Sequence, residues 1–407
     1  MDARAVQPAP CAMSKPDAVR FLARQAGLGE IDPTRADIAG VLARLPLLRN
    51  LDVALRPAAT VADVVRRLVM PDLHRPVPLP RFTNGRPDSF PERSGFEDSP
   101  AFEVLEVPDG LLAQISRAPV VLERSASTVL ADFSSPYAGL VHGFDFELRA
   151  VLTAARHIAG TAIVLCDDIH PLNYSHWLLD ELPRLACLGE RRDVTVIASE
   201  EDRPFKRETL RLCGFSDSRV VHLADFRAVR ADRLLVPRDI HAMPHPAFKA
   251  APWVLNFLRA RIGFPALLQG PSGPAPGKLF VSRDDSLGRR IINEPDLLQV
   301  LQPLGYERVT LAGLSVARQV ALFASATHVL GAHGAGLANF AFARPGARLL
   351  ELFPQSYGTP TYYVIAAGQG NAYATYISRD VVAGERTQID DFRLDMAGFR
   401  RCCDGLL

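Results

Sequence analysis

Gly331-Ala332-His333-Gly334-Ala335-Gly336-Leu337-Ala338-Asn339 follows the apolar run Thr327 to Leu330, and together they read as a buried strand breaking into a glycine-rich turn that opens a helix. Glycines at 331, 334 and 336 let backbone approach a ligand with no Cβ in the way, and the N–H groups at the helix start point at an anion. A phosphate or diphosphate suits such a loop; tight packing of strand on helix is the structural alternative. The order is not G-x-G-x-x-G, and no Gly-Lys-Ser/Thr follows, so neither common nucleotide fingerprint is present.

Outward from this loop, strand-like and helix-like runs alternate. Before it come strand Leu279 to Ser282, helix Asp296 to Leu304, strand Arg308 to Thr310 and helix Val316 to Ser325; after it come strand Arg348 to Phe353, helix Thr361 to Ala367 and strand Ala372 to Tyr376. An earlier series has the same rhythm: strand Ala162 to Cys166, a helix through Trp177 to Leu188, strand Val194 to Ala198, helix Phe205 to Cys213, strands near Val220 and Leu234, and helix Trp253 to Ile262. The Gly- and Pro-rich stretch Gly270 to Gly277 separates the two series. The pattern predicts an α/β protein with two Rossmann-like units facing a cleft, ligands binding at the carboxyl ends of the strands. Residues 76–262 form the first unit, 263–385 the second, and 386–407 a C-terminal tail. Short strands are expected at Phe102 to Val107, Val120 to Glu123 and Thr128 to Asp132. Residues 1–75 read as a helical extension, with Val61, Val64, Val65, Leu68 and Val69 on one helix face, and the Pro-rich stretch around Asn84-Gly85 as an exposed connector.

With 407 residues, 48% hydrophobic and 22% charged, the chain has the make-up of a globular enzyme of two or more domains. A net charge of +1 argues against the broad basic field of a nucleic-acid binder. Six cysteines without a C-x-x-C pair suggest neither a zinc site nor a disulfide framework. No signal-peptide core or membrane-length apolar run is found, so the expected location is cytoplasmic, at most peripheral to a membrane.

Two further segments carry chemistry. In Asn173-Tyr174-Ser175-His176-Trp177-Leu178-Leu179-Asp180-Glu181-Leu182-Pro183-Arg184, residues His176, Asp180 and Arg184 recur every four positions and share one helix face. They read either as a general base with its orienting partner or as a solvated polar stripe; Trp177, Leu178 and Leu182 are core on both readings. Asp167-Asp168 just upstream suits a cap or loop better than a metal pair, because neighbouring strand side chains point to opposite faces. His241 and His245 lack a third ligand nearby. The segment Ser282-Arg283-Asp284-Asp285-Ser286-Leu287-Gly288-Arg289-Arg290-Ile291-Ile292-Asn293-Glu294 puts arginines just after a strand end. There they either clamp phosphate oxygens without a metal or form an exposed basic loop. His333 can donate to a phosphate, and Glu351 either accepts from ribose hydroxyls or is a strand-end charge.

Taken in order, N-Y-S-H-W-L-L-D-E-L-P-R-L (Asn173 to Leu185), S-R-D-D-x-x-x-R-R-I-I-N-E and G-A-H-G-A-G-L-A-N-F-x-F-x-x-P-G-A-x-L-L-E-L (Gly331 to Leu352) resemble glycosyltransferase family 61, in particular its bacterial capsular-polysaccharide members. The resemblance covers about Gly160 to Leu352. It implies a GT-B architecture and an inverting, metal-independent transfer of a hexosyl or pentosyl group from a nucleotide-diphosphate sugar, with no cofactor besides that co-substrate. It implies a glycan acceptor, lipid-linked acceptors included, and leaves oligomerisation open. By motif position, Asp180 or His176 is the catalytic base with Asn173 and Arg184 on the acceptor side. Arg283, Arg289, Asn293, His333, Gly334, Ala335, Gly336, Asn339 and Glu351 fall on the donor side. A non-catalytic glycan-assembly scaffold and a nucleotide-dependent epimerase or oxidoreductase are the alternatives; Leu165-Cys166-Asp167-Asp168 offers the latter no dinucleotide fingerprint.

Overall fold

The structure, a computed structural model, describes residues 54–56, 60–61, 65–70, 81–85, 102–115, 118–125, 128–130, 133, 154–166, 173–199, 203–224, 227–237, 252–269, 275–382 and 389–406. Asp167, Asp168, His241, His245 and the helices expected before residue 54 lie outside these.

Strands β1 (Ala54–Arg56), β2 (Val65–Met70), β3 (Arg81–Phe82), β4 (Phe102–Ile115), β5 (Ala118–Leu122), β6 (Thr128–Leu130), β7 (Arg156–Val164), β8 (Thr195–Ser199), β9 (Val220–Leu223) and β10 (Arg227–Pro237) make up the first half of the fold. All but β3 join one mixed sheet, ordered β1-β6-β5-β4-β10-β7-β8-β9, with β2 also on β4. The run β10-β7-β8-β9 is parallel, as is the pair β1-β6; β4 runs antiparallel to β10, β5 and β2, and β5 to β6. Its side chains alternate with the strand period: Ile163 faces one core, Ala162 and Val164 the other.

Strands β11 (Lys278–Val281), β12 (Tyr306–Val309), β13 (His328–Ala332), β14 (Arg348–Pro354) and β15 (Ala372–Ser378) form the second sheet with β3, in the order β12-β11-β13-β14-β15-β3, parallel throughout. The chain leaves β11 for the edge, then crosses back to β13, so the topological switch lies between β11 and β13. The face of the connecting helices changes at the same point. Glu294–Leu301 covers one face with Leu297 and Leu301. Val316–Ser325, the 3-10 helix Ala335–Phe342 and Thr361–Gly368 cover the other.

One hydrophobic cluster runs from Phe102, Ile163 and Val196 on the first sheet, through Trp177, Leu258, Val320 and Phe340 on helices, to Val281, Val329 and Leu349 on the second. The two sheets therefore share a helical layer. Polar bonds reinforce it: the Glu208 carboxylate accepts from the N–H groups of Val316 (2.8 Å) and Ala317 (2.9 Å), capping that helix from the opposite unit.

Three expectations are corrected. Residues Val65–Met70 form a strand on β4, not a helix. Their valines are β-branched and suit a pleated surface, and pairing with β4 satisfies backbone that a short isolated helix would leave to water. The connector at Asn84 instead closes the second sheet: β3 pairs with β15, and the Asn84 side chain donates to Ile377 O (2.8 Å) and accepts from Ile377 N (2.9 Å). Pro108-Asp109-Gly110 does not end the strand begun at Phe102. Asp109 adopts φ 48°, and β4 continues to Ile115 against β10.

Candidate active site

The tryptophan-bearing segment 173–188 is a chain of short helical pieces. Asn173 caps it, its side chain accepting from Ser175 N (2.9 Å) and His176 N (3.4 Å). One α turn, Tyr174–His176, passes into the π turn Trp177–Glu181 and the 3-10 helix Leu182–Leu188, with Pro183 near the start of the last. Trp177, Leu178 and Leu182 are fully buried. The polar stripe is not solvated: Asp180 is 1% exposed and Arg184 3%. His176 Nδ1 lies 2.6 Å from Asp180 Oδ2, and the His176 side chain keeps 17% of its surface. Arg184 donates to the carbonyls of Asp180 (3.0 Å) and Cys166 (3.3 Å), holding the turn on the end of β7.

At the switch point of the second sheet, β11 runs into Ser282-Arg283 and β13 into His333-Gly334. Ser282 Oγ binds Glu294 at 2.8 Å, and Glu294 also pairs with Arg308, which fixes the start of the loop. Arg283 donates through Nε (3.1 Å) and Nη2 (2.8 Å) to Gly288 O, and its guanidinium lies against Gly334. A Cβ at 334 would fall 1.6 Å from Arg283 Nη1. Glycine is thus required there by close approach; its φ of −178° is ordinary extended backbone. Burial, then the neighbouring Arg289 guanidinium, lowers Arg283 from the usual arginine range to about 10, which leaves it cationic at neutral pH. Arg289 sits at φ 56°, donates through Nε to His333 O (2.8 Å) and stacks over Tyr357 with its guanidinium carbon 5.1 Å from the ring centroid. A non-glycine residue held in this region at a ligand-type loop marks local strain.

His333 is 7% exposed, and its N–H donates to Leu352 O (2.9 Å), so that amide is engaged within the sheet. Its ring packs against Phe353 (5.3 Å), Tyr362 (5.0 Å) and Tyr357 (5.5 Å). Nδ1 lies 2.5 Å from Glu351 Oε1, and the Tyr373 hydroxyl donates to Glu351 Oε2 at 2.6 Å. Glu351 is 0% exposed, and burial pushes its carboxyl up to about 8. Both oxygens are engaged within the protein, so Glu351 stands behind His333; contact with a ribose, expected from its strand-end position, is corrected.

The two motif regions meet. Tyr174 donates to Asn339 Oδ1 (2.7 Å), Asn339 Nδ2 donates to Gln319 (2.8 Å) and Gly336 O (3.0 Å), and Tyr362 donates to Ser175 Oγ (3.3 Å). His176 follows Ser175 directly, so it lies one residue from a side chain bonded to the tyrosine that packs on His333. Asn339 is fully buried and joins the two units instead of lining a surface. Ala335 and Gly336 open the 3-10 helix, where a Cβ at 336 would strike Leu311 Cδ1 at 2.6 Å. Asn293 is set apart: it donates to Leu394 O (3.0 Å) and accepts from Leu394 N (2.9 Å), fastening the loop to the C-terminal segment. That segment is built into the unit through the Arg290 to Asp391 ion pair and fully buried Phe392 and Phe399.

Tyr357, Tyr362 and Tyr373 were not singled out in the sequence. The Tyr362-Tyr363 doublet at the start of a helix that follows a buried strand was the available signal. Among the described residues no group of His, Cys, Asp and Glu could hold a metal ion, and no helix is long and apolar enough to cross a membrane. Comparison with curated proteins gives no match. Residues 174–350, which span the helix bearing His176 and Asp180, the arginine loop and the glycine turn, match the model of the Glycosyltransferase 61 family.

Proposed function

We propose that the chain transfers a hexosyl or pentosyl group, with inversion and without a metal, from a nucleotide-diphosphate sugar to a hydroxyl of a glycan acceptor in capsular or other surface polysaccharide synthesis. The carrying observation is the meeting of Arg283 and the His333-Gly334 turn at the switch point of the parallel sheet, where a crevice outside the strand ends receives ligands. In this reading the sheets correspond to acceptor-side and donor-side units of a GT-B-like arrangement, and the enzyme works in the cytoplasm, on lipid-linked acceptors at the membrane surface among others.

As the glycosidic bond to the donor breaks, negative charge grows on the departing diphosphate. Arg283, Arg289, His333 and the N–H groups of Gly334, Ala335 and Gly336 stabilise it in the role a metal ion fills elsewhere. The acceptor hydroxyl forms the new bond to the anomeric carbon from the opposite face and gives up its proton. Of the two candidate bases, His176 keeps exposed surface while Asp180 is buried against it, which favours His176 as base and Asp180 as the group that orients it. Asn173 and Arg184 hold the turn that carries them. The test is a panel of nucleotide sugars incubated with and without chelator, read by NMR for released nucleotide and product anomer. Turnover that persists in chelator, with inverted configuration, is expected; turnover abolished by chelator or retained configuration contradicts the mechanism.

A further inference from the structure

Behind His333 stands a buried relay of three titratable groups on three adjacent strands: His333 just past the carboxyl end of β13, Glu351 in the middle of β14 and Tyr373 near the start of β15. Strand register brings them together, since β14 pairs with both neighbours and Glu351 lies opposite Gly331 and Thr375. Each carboxylate oxygen has its own partner: Oε1 is 2.5 Å from His333 Nδ1, and Oε2 accepts from the Tyr373 hydroxyl at 2.6 Å. Such an arrangement fixes the orientation of the ring and which of its nitrogens carries a proton. Resting on the transferase reading above, we propose that Glu351 and Tyr373 are positioning residues that make His333 a proton-gated ligand for the donor diphosphate, binding it when the His333–Glu351 pair holds its proton and releasing it when the pair loses that proton.

The chemistry follows from the bonds. With the proton on Glu351 Oε1 donated to Nδ1, the neutral imidazole carries its own hydrogen on Nε2 and can donate it to a phosphate oxygen. Transfer of the shared proton to Nδ1 gives an imidazolium that still has a hydrogen on Nε2. Loss of one proton from the pair leaves an ionised carboxylate accepting from Nδ1–H and a bare Nε2, which repels an anion. The other groups facing the pair are Arg289, Arg283, Tyr357 and Tyr362. Burial raises both tyrosines, and Arg283, lowered to about 10, loses charge only toward the alkaline end, so the carboxyl, pushed up to about 8 by burial, is the group that titrates first. The Tyr373 hydroxyl donates to the ionised form and favours it, so its removal moves the transition to higher pH.

Calorimetric titration of the intact chain with UDP, GDP and pyrophosphate between pH 6.5 and 9.5 tests this, with histidine side-chain nitrogen NMR over the same range and His333→Gln to assign the His333 signal. Wild-type diphosphate affinity is expected to fall about tenfold per pH unit above a midpoint near 8. Tyr373→Phe should move that midpoint upward. Glu351→Gln, whose amide N–H can donate to Nδ1 but cannot ionise, should bind severalfold more weakly at pH 7 and show no alkaline limb. Nitrogen shifts should show Nε2 protonated at pH 7 and losing its proton with the same midpoint. Wild-type binding that is flat to pH 9.5, a limb that persists in Glu351→Gln, or Nε2 bare at pH 7 overturns the inference. Absence of binding by all three probes at pH 7 overturns the transferase reading instead, an outcome visible before any pH series.

Discussion

Gly334→Ala separates what the glycine turn does from what it merely permits. The new methyl carbon would lie 1.6 Å from Arg283 Nη1, while its backbone remains in ordinary extended geometry. The guanidinium must therefore retreat by about 1.5 Å before normal contact is restored, and a shift of that size removes bidentate contact with a phosphate. A charge-assisted hydrogen bond contributes about 1.5–3 kcal/mol, so affinity for a nucleoside diphosphate should fall about 10- to 150-fold. The fold should lose no more than the bonds from Arg283 to Gly288 O, about 1–3 kcal/mol, measurable by urea denaturation. Calorimetry on wild type, Gly334→Ala, Arg283→Ala and the double variant forms a cycle in which the glycine effect should vanish once Arg283 is absent. An equal loss from Gly334→Ala with and without Arg283 would refute the argument that the guanidinium transmits it.

Asp180→Asn should cut turnover about 10²- to 10⁴-fold with nucleotide affinity retained, because it alters the group that orients His176; steady-state kinetics beside calorimetry checks the split. Glu351 makes stability pH-dependent with a defined sign. Its folded carboxyl titrates near 8 against 4.5 for an ordinary one, so the unfolded chain releases its proton first, and stability is expected to decline as pH rises from about 4.5 through about 8. Denaturation midpoints for wild type should show this decline, and Glu351→Gln should flatten it. Glu208→Ala removes the acceptor for Val316 N and Ala317 N at a half-buried helix start and should cost about 1–2 kcal/mol in urea denaturation. An unchanged midpoint would show that the helix finds another cap.

The second sheet was legible from β11 to β15, though not at its edge strand β3, because a parallel strand buried on both faces is a short apolar run and helices with their own period alternate with these runs. Val316–Ser325 has the expected bounds, and Arg348–Pro354 differs by one residue. The first sheet was half legible. Local rules read Pro108-Asp109-Gly110 as a turn, yet β10, more than a hundred residues later, supplies ten paired positions that carry β4 through it. The Val65–Met70 strand was hidden for the same reason, its partner being distant in sequence. At the site, the residue types were readable but their depth was not. Whether Asp180 faced water or core, and whether Glu351 faced a ligand or His333, depends on contacts across layers such as Tyr362 to Ser175, 187 residues apart.

The proposed transfer requires that the switch point between β11 and β13 hold the diphosphate of a sugar nucleotide. A crystal structure of the chain with UDP or GDP tests it most directly. The diphosphate should lie within hydrogen-bond distance of Arg283, of His333 and of the N–H groups from Gly334 to Gly336. A diphosphate bound at the strand ends of the first sheet, or a nucleotide-free turn in crystals grown with saturating ligand, would contradict it.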